Sequence, residues 1–210
     1  MTERVVHELK GTISSVGFES GDRFVVGVWR ESPVGPLADV MWAQPDGTRV
    51  LLAPDEGAAE FVASVYRFDD VRVVPFEVRT ATTRRLDLDA GPLSLELSAR
   101  RGVTLGVTRP AWFTRRVEGP IAKRLMNVVT YGTSPTGVEE WYRAASFRLV
   151  DSATGRVDGH DLGGRRPVQP GLGVGFSEPP RWPSIVSVRP RLRSAPGVVR
   201  VPSRAPTDLG

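Results

Sequence analysis

The chain has 210 residues, 40% of them hydrophobic and 25% charged, the balance of one generous globular domain; this excludes an intrinsically disordered chain. It has no cysteine, which excludes a disulfide framework, a thiol nucleophile and a Cys-ligated metal. The net charge of +4 is uneven: residues 181–210 hold Arg181, Arg189, Arg191, Arg193, Arg200 and Arg204 against Asp208, a net of +5, so residues 1–180 sum to −1.

That distribution bears on partners. A nucleic-acid-binding body needs cations clustered on its folded surface, and a near-neutral body argues against one. A basic tail would remain free to touch RNA, an anionic lipid surface or an acidic protein. No apolar run reaches the roughly 18–20 residues of a membrane-spanning helix, and Met1-Thr2-Glu3-Arg4 lacks a signal peptide's apolar stretch, so a cytoplasmic location is expected. Lys10 and Lys123 are the two lysines against 26 Arg. With the abundance of Ala, Gly, Val and Pro, this skew points to coding bias in a GC-rich bacterial genome.

Period-two patterning dominates the chain. Phe24 to Trp29 reads as a strand closed by the Ser32-Pro33-Val34-Gly35-Pro36 turn. Leu37 to Gln44 and Arg49 to Ala53 read as a hairpin about Pro45-Asp46-Gly47-Thr48, because Pro presets φ and Gly accepts the left-handed position. Asp55 is placed to cap a helix in which Ala58, Phe61, Val62, Val65 and Tyr66 recur at spacings of three and four. Val71 to Val78 resumes as strand. Leu86 and Leu88 alternate with Asp87 and Asp89, Ala90-Gly91-Pro92 turns the chain, and Leu93, Leu95 and Leu97 return. Arg101 to Val107 is a further strand. Pro120, Ile121, Leu125 and Met126 predict a second short helix over residues 118–127.

A hairpin about Ser134-Pro135-Thr136-Gly137 leads into a strand from Val138 to Val150, with a turn at Asp151-Ser152-Ala153-Thr154-Gly155. Residues 158–183 read as loop, Ile185 to Val188 as a last strand, and residues 194–210 as a basic, Pro/Arg-rich disordered tail. The expected fold is all-β, mostly antiparallel and barrel-like, with about nine or ten strands and two short helices in one domain over residues 5–190.

Nucleotide-loop, dinucleotide, HExxH and GxSxG motifs are absent. No cofactor or metal site is expected. His160 lies in Asp158-Gly159-His160-Asp161, where carboxylates flank an imidazole. This is either an acid–base pair using Asp158 or Asp161, or a solvated turn in which Asp and Gly supply the turn chemistry. The long strand through Glu139-Glu140-Trp141-Tyr142-Arg143 is the densest polar–aromatic stretch. Alternation places Trp141, Arg143, Ala145, Phe147 and Leu149 on one face and Glu140, Tyr142, Ser146 and Arg148 on the other. If the first face lines a barrel, Arg143 is a buried cation in need of an acid. Asp39, flanked on its own face by Leu37 and Met41, is a candidate partner, as a structural ion pair or as the polar end of a ligand pocket.

Three resemblances bear on function. Gly27-Val28-Trp29 resembles the Gly-x-Trp of the first lipocalin strand, where the Trp closes the barrel, although here a further strand is expected before it and a Pro-Gly turn follows almost at once. Pro120-Ile121-Ala122-Lys123-Arg124 sets a lysine beside another cation, as in acetoacetate decarboxylase, where a lysine of lowered pKa forms a Schiff base. The Pro-Lys-Lys type of context in that family is not matched, and on a surface helix Lys-Arg is a solvated face. Finally, Gly21-Asp22-Arg23-Phe24, Asp39-Val40-Met41-Trp42, Glu140-Trp141-Tyr142 and Asp158-Gly159-His160-Asp161 look like a family of uncharacterised bacterial proteins. That likeness spans most of residues 20–190 and implies one coherent domain but no activity.

The expected function is binding of a small, largely apolar or carboxylate-bearing molecule inside the barrel, with Trp29, Asp39, Trp42, Tyr66, Trp141, Tyr142 and Arg143 as its walls. The alternatives are a lyase or hydrolase of small carboxylates using Lys123 or His160, and a protein-interaction module. A homodimer is compatible with either.

Overall fold

The computed structural model describes residues 4–104, 131–175 and 178–203. These form β1 (Val5–Glu8), β2 (Lys10–Phe18), β3 (Arg23–Glu31), β4 (Leu37–Ala43), β5 (Arg49–Ala53), α1 (Glu56–Val65), β6 (Asp70–Val73) and β7 (Phe76–Ala81). They continue with β8 (Arg85–Ala90), β9 (Leu93–Thr104), β10 (Tyr131–Thr133), β11 (Glu139–Val157), β12 (His160–Asp161), β13 (Arg165–Arg166) and β14 (Ser184–Ser194).

All the described strands belong to one sheet, in the order β6-β5-β4-β3-β2-β14-β11-β9-β8-β7. On its flanks, β1 pairs with β14, β10 and β12 with β11, and β13 with β2. Every pairing is antiparallel except β5 with β6. That pair is parallel because α1 carries the chain across between them, the connection that parallel neighbours require. Asp55 starts the helix by accepting the Ala58 backbone N–H at 2.8 Å, and Tyr66 ends it in an extended conformation.

The sheet curls into a half-barrel. Its two edge strands are neighbours in sequence, so Val74 and Pro75 carry the chain from one edge to the other. Val74 N–H donates to the Ala53 carbonyl at 2.9 Å and Gly91 N–H donates to the Pro75 carbonyl at 2.9 Å, which ties both edges to the same corner. The curl brings Val26, Val40 and Leu52 from one half of the sheet against Leu86, Leu88 and Leu95 from the other in a single apolar core. Trp42 belongs to that core and stacks on Phe24, ring centroids 5.8 Å apart. On the convex face Leu37, Leu51 and Ala53 pack against Ala58, Phe61, Val62 and Val65 of α1. Odd and even residues of β5 thus serve two cores, the period-two rule at work. Among the described residues no helix is long and apolar enough to cross a membrane.

The predominantly β, barrel-like expectation agrees with this architecture, and several details are corrected. Val71 to Val78 is not one strand, since Pro75 has no N–H to give a ladder; it divides into β6 and β7 at opposite edges. The turn expected at residues 151–155 is continuous strand, and two bulges between Arg148 and Ser152 re-aim its side chains. The strand expected before Phe24 is β2, preceded in turn by β1, which the sequence pattern does not mark. β14 runs to Ser194, and of the tail expected from composition to be disordered over 194–210, residues 198–200 are packed: Val199 is buried beside α1, and Arg200 bonds Ser64 and Glu60. Residues 204–210 lie outside the described residues. The described residues contain one helix; the second, predicted at 118–127, lies outside them, as does Lys123.

Candidate functional site

The curl divides the candidate residues. Trp42 faces the concave core, whereas Trp29 packs on the helix side. Asp39 is 2% exposed and accepts the indole N–H of Trp29 at 2.9 Å. Register pairs Asp39 with Gly27, and a Cβ at residue 27 would lie 2.5 Å from both Asp39 Oδ1 and Trp29 Nε1. The absence of a side chain at Gly27 makes room for that hydrogen bond. Arg143 is exposed, so the expected Asp39–Arg143 pair does not form.

The acid that joins this side of the molecule is Glu140, 0% exposed. Tyr66 at the end of α1 and Tyr142 on β11 each donate to Glu140 Oε2, at 2.8 and 2.7 Å, and their hydroxyls are 2.7 Å apart. Burial pushes the Asp39 carboxyl up to about 7, against the opposing hydrogen bond from Trp29. Burial likewise pushes Glu140 up to about 7, against the hydrogen bonds from Tyr142 and Tyr66. Both tyrosines are raised well above their ordinary value, by burial and then by the Glu140 charge, and Asp39 adds to the push on Tyr142. Asp39 Oδ2 and Glu140 Oε1 are buried without hydrogen-bond partners among the described residues. The cluster therefore holds neutral tyrosines and carboxyls that bind protons near neutrality. Alternation already placed Glu140 beside Tyr142; it could not show that Tyr66, 74 residues away, closes the triangle.

Trp141 and Arg143 point to the opposite face. The Trp141 ring lies 5.1 Å from Tyr131, with the Arg193 guanidinium 4.9 Å from its centroid. His160 and Asp161 are exposed in β12, and Asp158 and Gly159 take φ of 51° and 78° in the turn that precedes it. Positive φ at both positions is the demand of a tight hairpin, so the Asp-Gly pair has a backbone reason for being there.

An open recess of about 360 Å³ lies where the β2–β3 turn meets β13, lined by Phe18, Gly21, Arg23, Arg166, Pro167 and Gln169. Arg23 is 7% exposed. Its guanidinium donates to the carbonyls of Pro170 at 3.3 Å and Gln44 at 3.1 Å, while Nε has no partner among the described residues. Among the described residues no carboxylate lies within ion-pair distance of Arg23; Arg166, by contrast, pairs with Glu19. Sequence reasoning missed Arg23, because a charged residue opening a strand is ordinary and nothing local marks it as buried.

The fold defines a class of protein, the mostly antiparallel sheet curled into a half-barrel with a helix on its convex face. Comparison with protein-family models, curated proteins and solved structures finds no match to the chain.

Proposed function

We propose that the protein binds a small molecule bearing a carboxylate or phosphate, in the recess between the β2–β3 turn and β13. The observation that carries this reading is Arg23, a buried cation with no carboxylate partner among the described residues. A buried charge is stable only when paired, and two carbonyl dipoles compensate a guanidinium less fully than an anion does. Its planar fork suits a carboxylate or phosphate, Arg166 and Gln169 offer further donors, and Phe18 and Pro167 provide an apolar wall. Val26, Val40, Leu52, Leu86, Leu88 and Leu95 pack against one another across the concave face, which favours a ligand at the rim over one among them. A bacterial setting is part of this reading, supported by the arginine-rich composition.

Native mass spectrometry of the purified protein, compared with its denatured mass, tests for a retained ligand. Titration with aliphatic and aromatic carboxylates and phosphates then tests the chemistry. Arg23→Gln is expected to weaken binding by about tenfold or more, the loss of a charge-assisted hydrogen bond, and Arg166→Ala by less, since that side chain is exposed and shared with Glu19. No adduct together with no binding across the panel, or unchanged affinity in Arg23→Gln, would overturn the reading.

A further inference from the structure

The basic C-terminal composition resolves into a surface. Residues 189–193 read Arg-Pro-Arg-Leu-Arg and lie in β14, so Pro190 and Leu192 turn inward, both buried, while Arg189, Arg191 and Arg193 share the other face. Register sets these arginines directly beside β11: Arg193 opposite Glu139, Arg191 opposite Trp141 and Arg189 opposite Arg143. β10 extends the same rows by placing Tyr131 beside Trp141, and β1 by placing Val6 beside Arg193 and Glu8 beside Arg191.

Charge and aromatic surface coincide on this face. Arg143, Arg189 and Arg191 are exposed, and Tyr131 is 50% exposed. Arg4, Arg143, Arg189, Arg191 and Arg193 contribute five positive charges, and Glu8 and Glu139 two negative ones, a net of +3. Glu139 is taken up by Arg4 and Arg193, and Glu8 by Arg191 at 2.5 Å. Glu31 pairs with Lys10 at 2.5 Å and also feels the charge of Arg189. Arg143 and Arg189 stand directly opposite one another with no carboxylate in ion-pair distance among the described residues. Like charges opposed across a ladder destabilise it, and an anion laid between them removes that cost.

We propose that this arginine–aromatic face binds single-stranded nucleic acid. Cross-strand neighbours about 4.8 Å apart and same-face neighbours about 6.8 Å apart present cations at intervals suited to successive phosphates of an extended strand. Tyr131 and Trp141 sit among those cations, where unstacked bases can lie against a ring. An acidic peptide would use the arginines and leave the aromatic pair without a role. The near-neutral sum of residues 1–180 does not oppose this surface, because phosphates respond to the local field within about a Debye length of 8–10 Å.

Fluorescence anisotropy of labelled 12-mer oligouridine and oligodeoxythymidine with the whole chain tests the proposal. Binding is expected for at least one oligonucleotide, weakening as salt rises, with quenching of tryptophan emission. The double variant Arg143→Ala/Arg189→Ala is expected to lose about tenfold or more in affinity and to show a shallower salt dependence. Tyr131→Ala is expected to lose about fivefold or more at every salt concentration. These side chains are exposed, and unchanged thermal unfolding would establish that the variants are folded. No binding of either oligonucleotide at low salt would overturn the proposal. Heparin or polyglutamate binding as tightly as the oligonucleotides, with no loss in Tyr131→Ala, would also overturn it and assign the face to an acidic partner. None of these residues lines the Arg23 recess, so the two proposals fail separately.

Discussion

Asp39 and Glu140 are buried acids with no cation in ion-pair distance among the described residues, and each depends on neighbours that the chain delivers from elsewhere. Trp29 reaches Asp39 only because residue 27 has no side chain. Gly27→Ala is therefore expected to break that hydrogen bond or displace β4, lowering stability by about 2–3 kcal/mol in urea denaturation. An unchanged midpoint would show that the strands have room to spread. The acids also make stability depend on pH. Both folded-state pKa values, about 7, lie above the unfolded ones, so the folded state binds more protons between about pH 4 and pH 7. The stabilising difference is complete below that window, is lost as pH rises through it, and is gone above about pH 7–8, on the order of 3 kcal/mol for each carboxyl. Thermal unfolding measured from pH 5 to pH 8 is expected to show a falling midpoint, and Asp39→Asn to flatten it. An identical slope in the variant would clear Asp39 of the effect.

Elements divide into those set by local chemistry and those set by where they land. The hairpin at residues 45–48 and the Asp55-capped helix were legible because Pro, Gly, Asp and apolar spacing act within a few residues. Asp55→Ala is expected to cost about 1 kcal/mol, read as a lowered melting temperature. Beyond Ser194 composition misled. Ser194-Ala195-Pro196-Gly197-Val198-Val199-Arg200 has no period, yet Val199 is buried, and Arg200 uses its backbone N–H and its guanidinium on Ser64 and Glu60 of α1. No local rule reveals a docking site made by a helix more than 130 residues earlier. Deletion of residues 195–210 is expected to lower stability by about 2 kcal/mol through loss of apolar burial on α1. Unaltered unfolding of the truncated chain would show that this segment contributes nothing to the helix.

At the scale of the whole molecule, one corner closes the curl. Val74 and Pro75 join opposite edges of the sheet, and a Cβ on Gly91, at φ 57°, would stand 2.7 Å from Val74 Cβ. Gly91→Ala is expected to force that corner apart and to cost about 1–3 kcal/mol, seen as a lower denaturation midpoint without a change in slope. Alternating apolar residues and turn chemistry determined that the chain would be mostly β and that hairpins would lie at residues 45–48, 90–92 and 134–137, because each of these depends on neighbours a few positions away. They did not determine every strand face, since the bulge between Ala144 and Ser146 brings Ser146 to the Trp141 side and Phe147 to the Glu140 side. The tertiary structure alone decided that Val71 to Val78 would supply both edges of the sheet, and that Val26, Val40 and Leu52 would meet Leu86, Leu88 and Leu95 in one core. It likewise left Arg143 exposed, buried Arg23 at the rim, and gathered Asp39, Glu140, Tyr66 and Tyr142 on the helix side of the sheet. Strand order, curl and the partners of a buried charge depend on contacts between residues distant in the chain, and nothing in the local spacing of residue types encodes those contacts.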